Sequence, residues 1–131
     1  MLVSDAGVLA LSLAHDGAIG QRARATLIRV ARVVIPALAD IETVSVLRKW
    51  WLAGTIDLSR FELAVKELGS SPYHRRDMRP LLARVLQLRA NVTPYDAVYV
   101  ALAESLGCPL ATTDGRLSRA TGIRCPIIVV S

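Results

Sequence analysis

Apolar residues fall along this chain in two kinds of run. Short unbroken runs at 1–4 (MLVS), 32–35 (RVVI), 109–113 (PLATT) and 126–130 (PIIVV) predict strands. They do not alternate with polar residues, which is the pattern of strands buried on both faces. Longer segments with helical spacing stand between them. Helices are predicted at 7–14, 18–30 and 37–53, the last carrying Val44, Leu47 and Trp51 at helical intervals and stopping at Gly54. Two more are expected at 58–68, capped by Asp57 and ended by Gly69, and at 78–89, capped by Asp77. Residues 70–76 read as a loop or a poor edge strand, and 115–120 as a helical turn or two. The most apolar helix opens at Thr93 and ends at Gly107, with 97–103 apolar all the way round.

Strands alternating with helices predict an α/β fold with a mainly parallel sheet covered on both faces. No linker, repeat or low-complexity tract interrupts the pattern, so residues 1–131 read as one domain. Sites in such sheets form beyond the carboxyl ends of the strands. Two of the strands stop at an aspartate, Asp5 and Asp114, which places both acids on one rim if the strands are central.

Composition narrows the chemistry. The chain has 131 residues, 53% of them hydrophobic, enough for a sizeable core and against global disorder. Sixteen basic residues against 11 acidic ones leave a formal charge of +5, and all but two of the basic residues are arginine. Such an excess permits a nucleic acid or an acidic protein partner. Arg75, Arg76 and Arg79 form one basic group, and Arg116 and Arg119 another. Cys108 and Cys125, with His15 and His74, have no metal-binding spacing, so both cysteines are expected reduced in a cytoplasmic protein. No apolar run reaches the roughly 18 residues of a membrane helix. The early VLALSLA follows an acid rather than a basic segment and is not read as a signal peptide.

Among the acids, Asp16 reads as a turn residue, Glu62 as an ion-pair partner of Lys66, and Glu67 and Glu104 as solvated. Asp5, Glu42, Asp96 and Asp114 remain. Each has a plain structural reading: Asp5 and Asp114 as caps of the segments that follow, Asp96 as the far end of a capping box begun by Thr93, Glu42 as a solvated helix position. Asp40, roughly 200° around the helix from Glu42, is expected to face solvent or to support the site from outside. Yet all four acids fall at ends of elements able to meet at one rim. Carboxylates about 5 Å apart repel by roughly 3 kcal/mol at an effective dielectric of 20. Such a cluster takes up protons or a cation, and oxygen-only donors suit Mg²⁺ or Mn²⁺. A hard cation held by acids on a basic protein points to phosphodiester chemistry.

The segments Val3-Ser4-Asp5-Ala6, PALADIETVSVLRK from Pro36 to Lys49, Thr93-Pro94-Tyr95-Asp96-Ala97 and Thr112-Thr113-Asp114 occur in this order. Together they resemble the PIN-domain ribonucleases, in particular the VapC-type toxins of prokaryotic toxin–antitoxin pairs. The resemblance implies a three-layer α/β/α fold and an endoribonuclease dependent on Mg²⁺ or Mn²⁺. It assigns the catalytic and metal-binding positions to Asp5, Glu42, Asp96 and Asp114, and a supporting hydroxyl to Thr113. It also implies an RNA substrate, a cognate antitoxin and a homodimer, with Arg116 and Arg119 as candidates for holding the RNA backbone. Trp50-Trp51 would leave one ring outside the core as an interface anchor, unless both rings are buried.

Two positions depart from that pattern. Gly7 stands where a polar residue is common, and Gly115-Arg116-Leu117 offers no further acid after Asp114. A PIN-type nuclease of housekeeping RNA processing is the nearest alternative. A receiver-like regulatory module would need an acidic neighbour for Asp5 and a late lysine, and the chain has neither. A phosphatase of the haloacid-dehalogenase kind would need an aspartate where Gly7 stands.

Overall fold

The computed structural model describes all 131 residues. Five strands form one sheet: β1 (Leu2–Ser4), β2 (Val33–Pro36), β3 (His74–Arg76), β4 (Leu110–Thr112) and β5 (Ile127–Val129). Their order is β3-β2-β1-β4-β5, and every pairing is parallel. Val3 lies in register with Val34 on one side and Leu110 on the other. The chain therefore builds outward from β1 in one direction and then returns to β4 on the other side. The reversal falls between β1 and β4, the crevice where open parallel sheets place their ligands.

Six helices flank the sheet: α1 (Ala6–Ala14), α2 (Ala18–Ile28), α3 (Ala39–Leu52), α4 (Leu58–Ser70), α5 (Leu82–Gln87) and α6 (Pro94–Leu106). Helices α1 to α4 pack on one another, α5 packs on α6, and α6 lies against β1 and β2. The architecture is three-layered, α/β/α. The core joins Leu2, Val3, Val34, Ile35 and Leu110 of the strands to Val8 and Leu9 of α1 and to residues 97–103 of α6, seven buried positions in a row. Helix α6 has the ends its sequence announces. The Thr93 hydroxyl accepts from the Asp96 N–H, Pro94 opens the first turn, and Gly107 closes the helix at φ 64°, a left-handed conformation that suits glycine.

Some boundaries differ from expectation. The segment 78–89 is not one helix: Pro80 lacks an N–H, and a 3-10 turn over Arg79–Leu81 precedes a short α5. Helix α4 runs through Gly69 to Ser70 and ends at Ser71, whose N–H and hydroxyl both donate to the Leu68 carbonyl. Strand β2 includes Pro36, whose neighbour Ala37 carries the pairing onward by donating to the Arg76 carbonyl. The stretch before Asp77 forms β3, an exposed edge strand of sequence HRR held by β2 alone. Strand β5 is the opposite edge and is half exposed at Ile128 and Val129 rather than buried.

The tryptophans split. Trp50 packs against the core in a T-shaped contact with His15, and Trp51 stacks on Phe61 of α4 with ring centroids 5.7 Å apart. Glu104 is not solvated: it pairs with Arg84 on α5. No helix is long and apolar enough to cross a membrane.

Candidate active site

Each of the four acids is delivered by a different element. Asp5 follows β1 directly and caps α1, its Oδ1 accepting from the Val8 N–H at 3.0 Å. Asp114 follows β4 and caps a 3-10 turn at Gly115–Arg119, accepting from the Arg116 N–H at 2.9 Å. Glu42 stands in the first turn of α3, and Asp96 in the first turn of α6. Capping and rim placement coexist at Asp5 and Asp114, because a carboxylate has more lone pairs than a cap consumes. At Asp96 the cap is Thr93.

The acids feel one another unequally. Burial holds the Asp5 carboxyl above its usual range, against hydrogen bonds from Thr112, Val8 and Thr113, and the charge of Asp96 adds to the rise. Glu42 is raised by burial and by Asp96 and Asp5, against its bond to Tyr99. Asp96 is raised by burial and by Asp114, with Thr93 and Arg116 opposing. Asp114 goes the other way, held low by Arg116, whose Nε and Nη2 donate to its two oxygens at 3.1 and 3.0 Å. Asp5, Glu42 and Asp96 thus form a mutually repelling trio, and Asp114 joins it through Asp96. As the side chains stand, no three acidic, histidine or cysteine residues enclose a common point for an ion. The donor chemistry fits a hard cation: oxygen only, with three half-buried carboxylates that gain from positive charge between them.

Two hydroxyls complete the site, and the sequence singles out neither. Thr112, fully buried, donates to Asp5 Oδ2 at 2.5 Å and accepts from the Asp114 N–H at 2.9 Å, bridging the two strand ends. Thr113 is exposed; its backbone supports Asp5, and its side chain lies over Gly7, where any Cβ would collide with the hydroxyl. Tyr99 is buried and donates to Glu42 Oε1 at 2.8 Å. Burial and the surrounding acids push its phenol far above the ordinary range, so it stays a donor.

Asp40 is outside this group, in a two-pronged pair with Arg75 at 2.8 and 3.0 Å. Arg75 and Arg79 are therefore engaged, Arg79 with Asp77. Arg116 and Arg119 are exposed beside the acids, and a cleft of about 210 Å³ between Asp96 and Asp114 is bordered by Asn91, Thr93, Arg116 and Leu117.

The raised carboxyls make a prediction about stability. An acid whose pKa is raised by folding stabilises the fold at low pH and loses that contribution as pH rises from the ordinary value through the raised one. At neutral pH the trio therefore opposes folding. Glu42→Gln removes one charge from the trio and keeps an oxygen to accept from Tyr99. In chelator at neutral pH it is expected to melt at or slightly above the wild-type temperature, by scanning calorimetry. A clear drop would show that repulsion at Glu42 is not a net cost.

Comparison with known proteins agrees with this fold. The sequence model of the PIN domain matches residues 3–123. Ribonuclease VapC9 of Mycobacterium tuberculosis is 36% identical over 130 residues, covering 99% of this chain and 98% of its own. Ribonuclease VapC12 of the same organism is 33% identical over 134 residues, covering both chains fully. Among solved structures, VapC20 of M. tuberculosis, described as a sarcin-ricin loop cleaving toxin, superposes with a TM-score of 0.72 at 14% identity over 95% of this chain and 97% of its own. A chain of a toxin–antitoxin complex from Klebsiella pneumoniae superposes with a TM-score of 0.65 at 17% identity, over 100% of this chain and 98% of its own. With a family match over nearly the whole chain and full-length relatives above 30% identity, the chain belongs to the PIN domain family, among the VapC ribonucleases.

Proposed function

We propose that this VapC-type PIN ribonuclease is the toxin of a toxin–antitoxin pair and hydrolyses RNA phosphodiester bonds at the rim carrying Asp5, Glu42, Asp96 and Asp114. These four carboxylates are the residues that would hold Mg²⁺, with Mn²⁺ as a substitute. The observation that carries the reading is the trio of half-buried, mutually repelling acids brought together at the switch point of the sheet on a chain of net charge +5. A bound hard cation supplies Lewis acidity at a phosphate oxygen and a more acidic water.

The chain's own residues do the rest. Thr112 bonds to Asp5 and to the Asp114 N–H, and Tyr99 donates to Glu42. Arg119, exposed and without an acidic partner, is placed to attract the RNA backbone, and Arg116 can turn from Asp114 to a phosphate. Exposed apolar side chains support protein partners. Ile41, Leu58, Leu82 and Leu86 are exposed, and an antitoxin and a second copy of the chain are the partners proposed to cover such positions. Two free cysteines support a cytoplasmic setting.

The test is metal add-back. Purified protein stripped with chelator is expected to leave RNA intact and to cleave it on addition of Mg²⁺ or Mn²⁺, read on a gel. Undiminished cleavage in excess chelator would overturn the metal reading.

A further inference from the structure

Tyr99 is a deeply buried polar group beside the acids. Its side chain sits within the buried run 97–103 of α6 and is only 3% exposed. It lies one turn beyond Asp96 on the same helix, the spacing that puts two side chains on one face. From there its ring passes to α3, and its hydroxyl ends on Glu42 Oε1 at 2.8 Å, across 57 residues of sequence. A buried phenol needs an acceptor. Here the acceptor is the one acid of the four supplied by α3, on the longest and most freely rotating of the four side chains.

We propose that Tyr99 is a positioning residue of the acidic centre: its hydroxyl holds Glu42 turned toward Asp5 and Asp96 without neutralising it. The contrast with Asp114 supports this. Both Asp114 oxygens meet the Arg116 guanidinium, a cation that competes with any other cation for the same carboxylate. A phenol gives direction through one neutral hydrogen bond and leaves Glu42 Oε2 free. The proposal rests on the reading of Glu42 as a metal-holding acid, and its test separates the two.

Four proteins are compared: wild type, Tyr99→Phe, Glu42→Gln and the double variant. Phenylalanine fills the same space, and water reaches the half-buried Glu42 once the hydroxyl is gone, so all four are expected to melt within a few degrees of one another. Mn²⁺ affinity is measured by titration calorimetry, and RNA cleavage at saturating metal. Tyr99→Phe is expected to weaken Mn²⁺ binding about tenfold, the effect typical of a lost partner behind a metal ligand. It should lower kcat with little change in KM for RNA. In the Glu42→Gln background the same substitution should change neither quantity further. Wild-type affinity and kcat in Tyr99→Phe, with Glu42→Gln defective, would overturn the role of Tyr99 alone. An equal loss in both backgrounds would also overturn it, showing that Tyr99 matters only for packing. Wild-type behaviour of Glu42→Gln would overturn the metal reading of Glu42, and this proposal with it.

Discussion

Asp96→Asn is expected to leave the protein folded and to lower RNA cleavage by ~10²-fold or more, the kinetic equivalent of a few kcal/mol of lost charge stabilisation. Asp96 is chosen because it is the one acid in electrostatic contact with each of the other three: it raises Asp5 and Glu42 and is itself raised by Asp114. The substitution keeps size and shape and removes one charge from the centre of the group. It does not remove the helix cap, because the Thr93 hydroxyl receives the backbone N–H of residue 96. The favourable interaction of a carboxylate with the α6 N-terminus, roughly 0.3–1 kcal/mol, is lost, while repulsion within the trio is relieved. Stability should therefore change little, which circular dichroism and thermal melting check. Millimolar Mn²⁺ should raise the melting temperature of the wild type and not that of the variant, since a ligand of the folded form stabilises by mass action. A folded Asp96→Asn protein with full activity would leave Asp96 only its place in the first turn of α6.

How much of this was legible in the sequence depends on how locally each feature is determined. Helix α6 was readable because its signals are local: Thr93 and Pro94 at the start, Gly107 at the end, an apolar run between. The rim was readable because Asp5 and Asp114 end apolar runs, and parallel neighbours put their carboxyl ends on one side. The buried threonine beside them was not. Thr112 and Thr113 are chemically the same, and a shift of one residue in a strand exchanges the inward and outward faces. Only the pairing of β4 decides that Thr112 is buried against Asp5 while Thr113 is exposed over Gly7. Tyr99 was hidden differently, since it counts as one more apolar position in a buried helix until its hydroxyl finds Glu42. Strand β3 carried no apolar signal, because an edge strand of sequence HRR needs only backbone pairing with β2. The break at Pro80 was missed: one helix was expected over 78–89, although a proline there removes a donor.

Glu104 was illegible because its partner is 20 residues away, and it carries the second large prediction. Its Oε2 accepts from Arg84 Nε at 2.7 Å, and its Oε1 from Arg84 Nη2 at 3.1 Å and the Arg124 N–H at 2.8 Å. Arg84 also donates to the Gly122 carbonyl at 2.7 Å, so the pair ties α5, α6 and the segment before β5 together. Only 19% of the Arg84 side chain and 12% of that of Glu104 are exposed. Glu104→Ala would leave a half-buried guanidinium without its carboxylate, and losing a hydrogen-bonded charged partner costs about 1–3 kcal/mol. For a chain of this size the melting temperature should fall by roughly 5–10 °C. Burial by itself would raise the Glu104 pKa, but the bonds from Arg84 and Arg124 outweigh it and hold the carboxyl below the ordinary glutamate range. The sign follows: this contribution is complete above the ordinary glutamate value and is lost as pH falls through the lower value of the folded state. Urea unfolding should therefore show a wide gap between wild type and Glu104→Ala at neutral pH, and a narrower one in acid. Asp5, Glu42 and Asp96 titrate with the opposite sign and Asp114 with the same sign, but equally in both proteins, so the difference between the two isolates Glu104. A gap under about 0.5 kcal/mol at neutral pH would mean that the pair acts like an exposed surface ion pair, despite its burial.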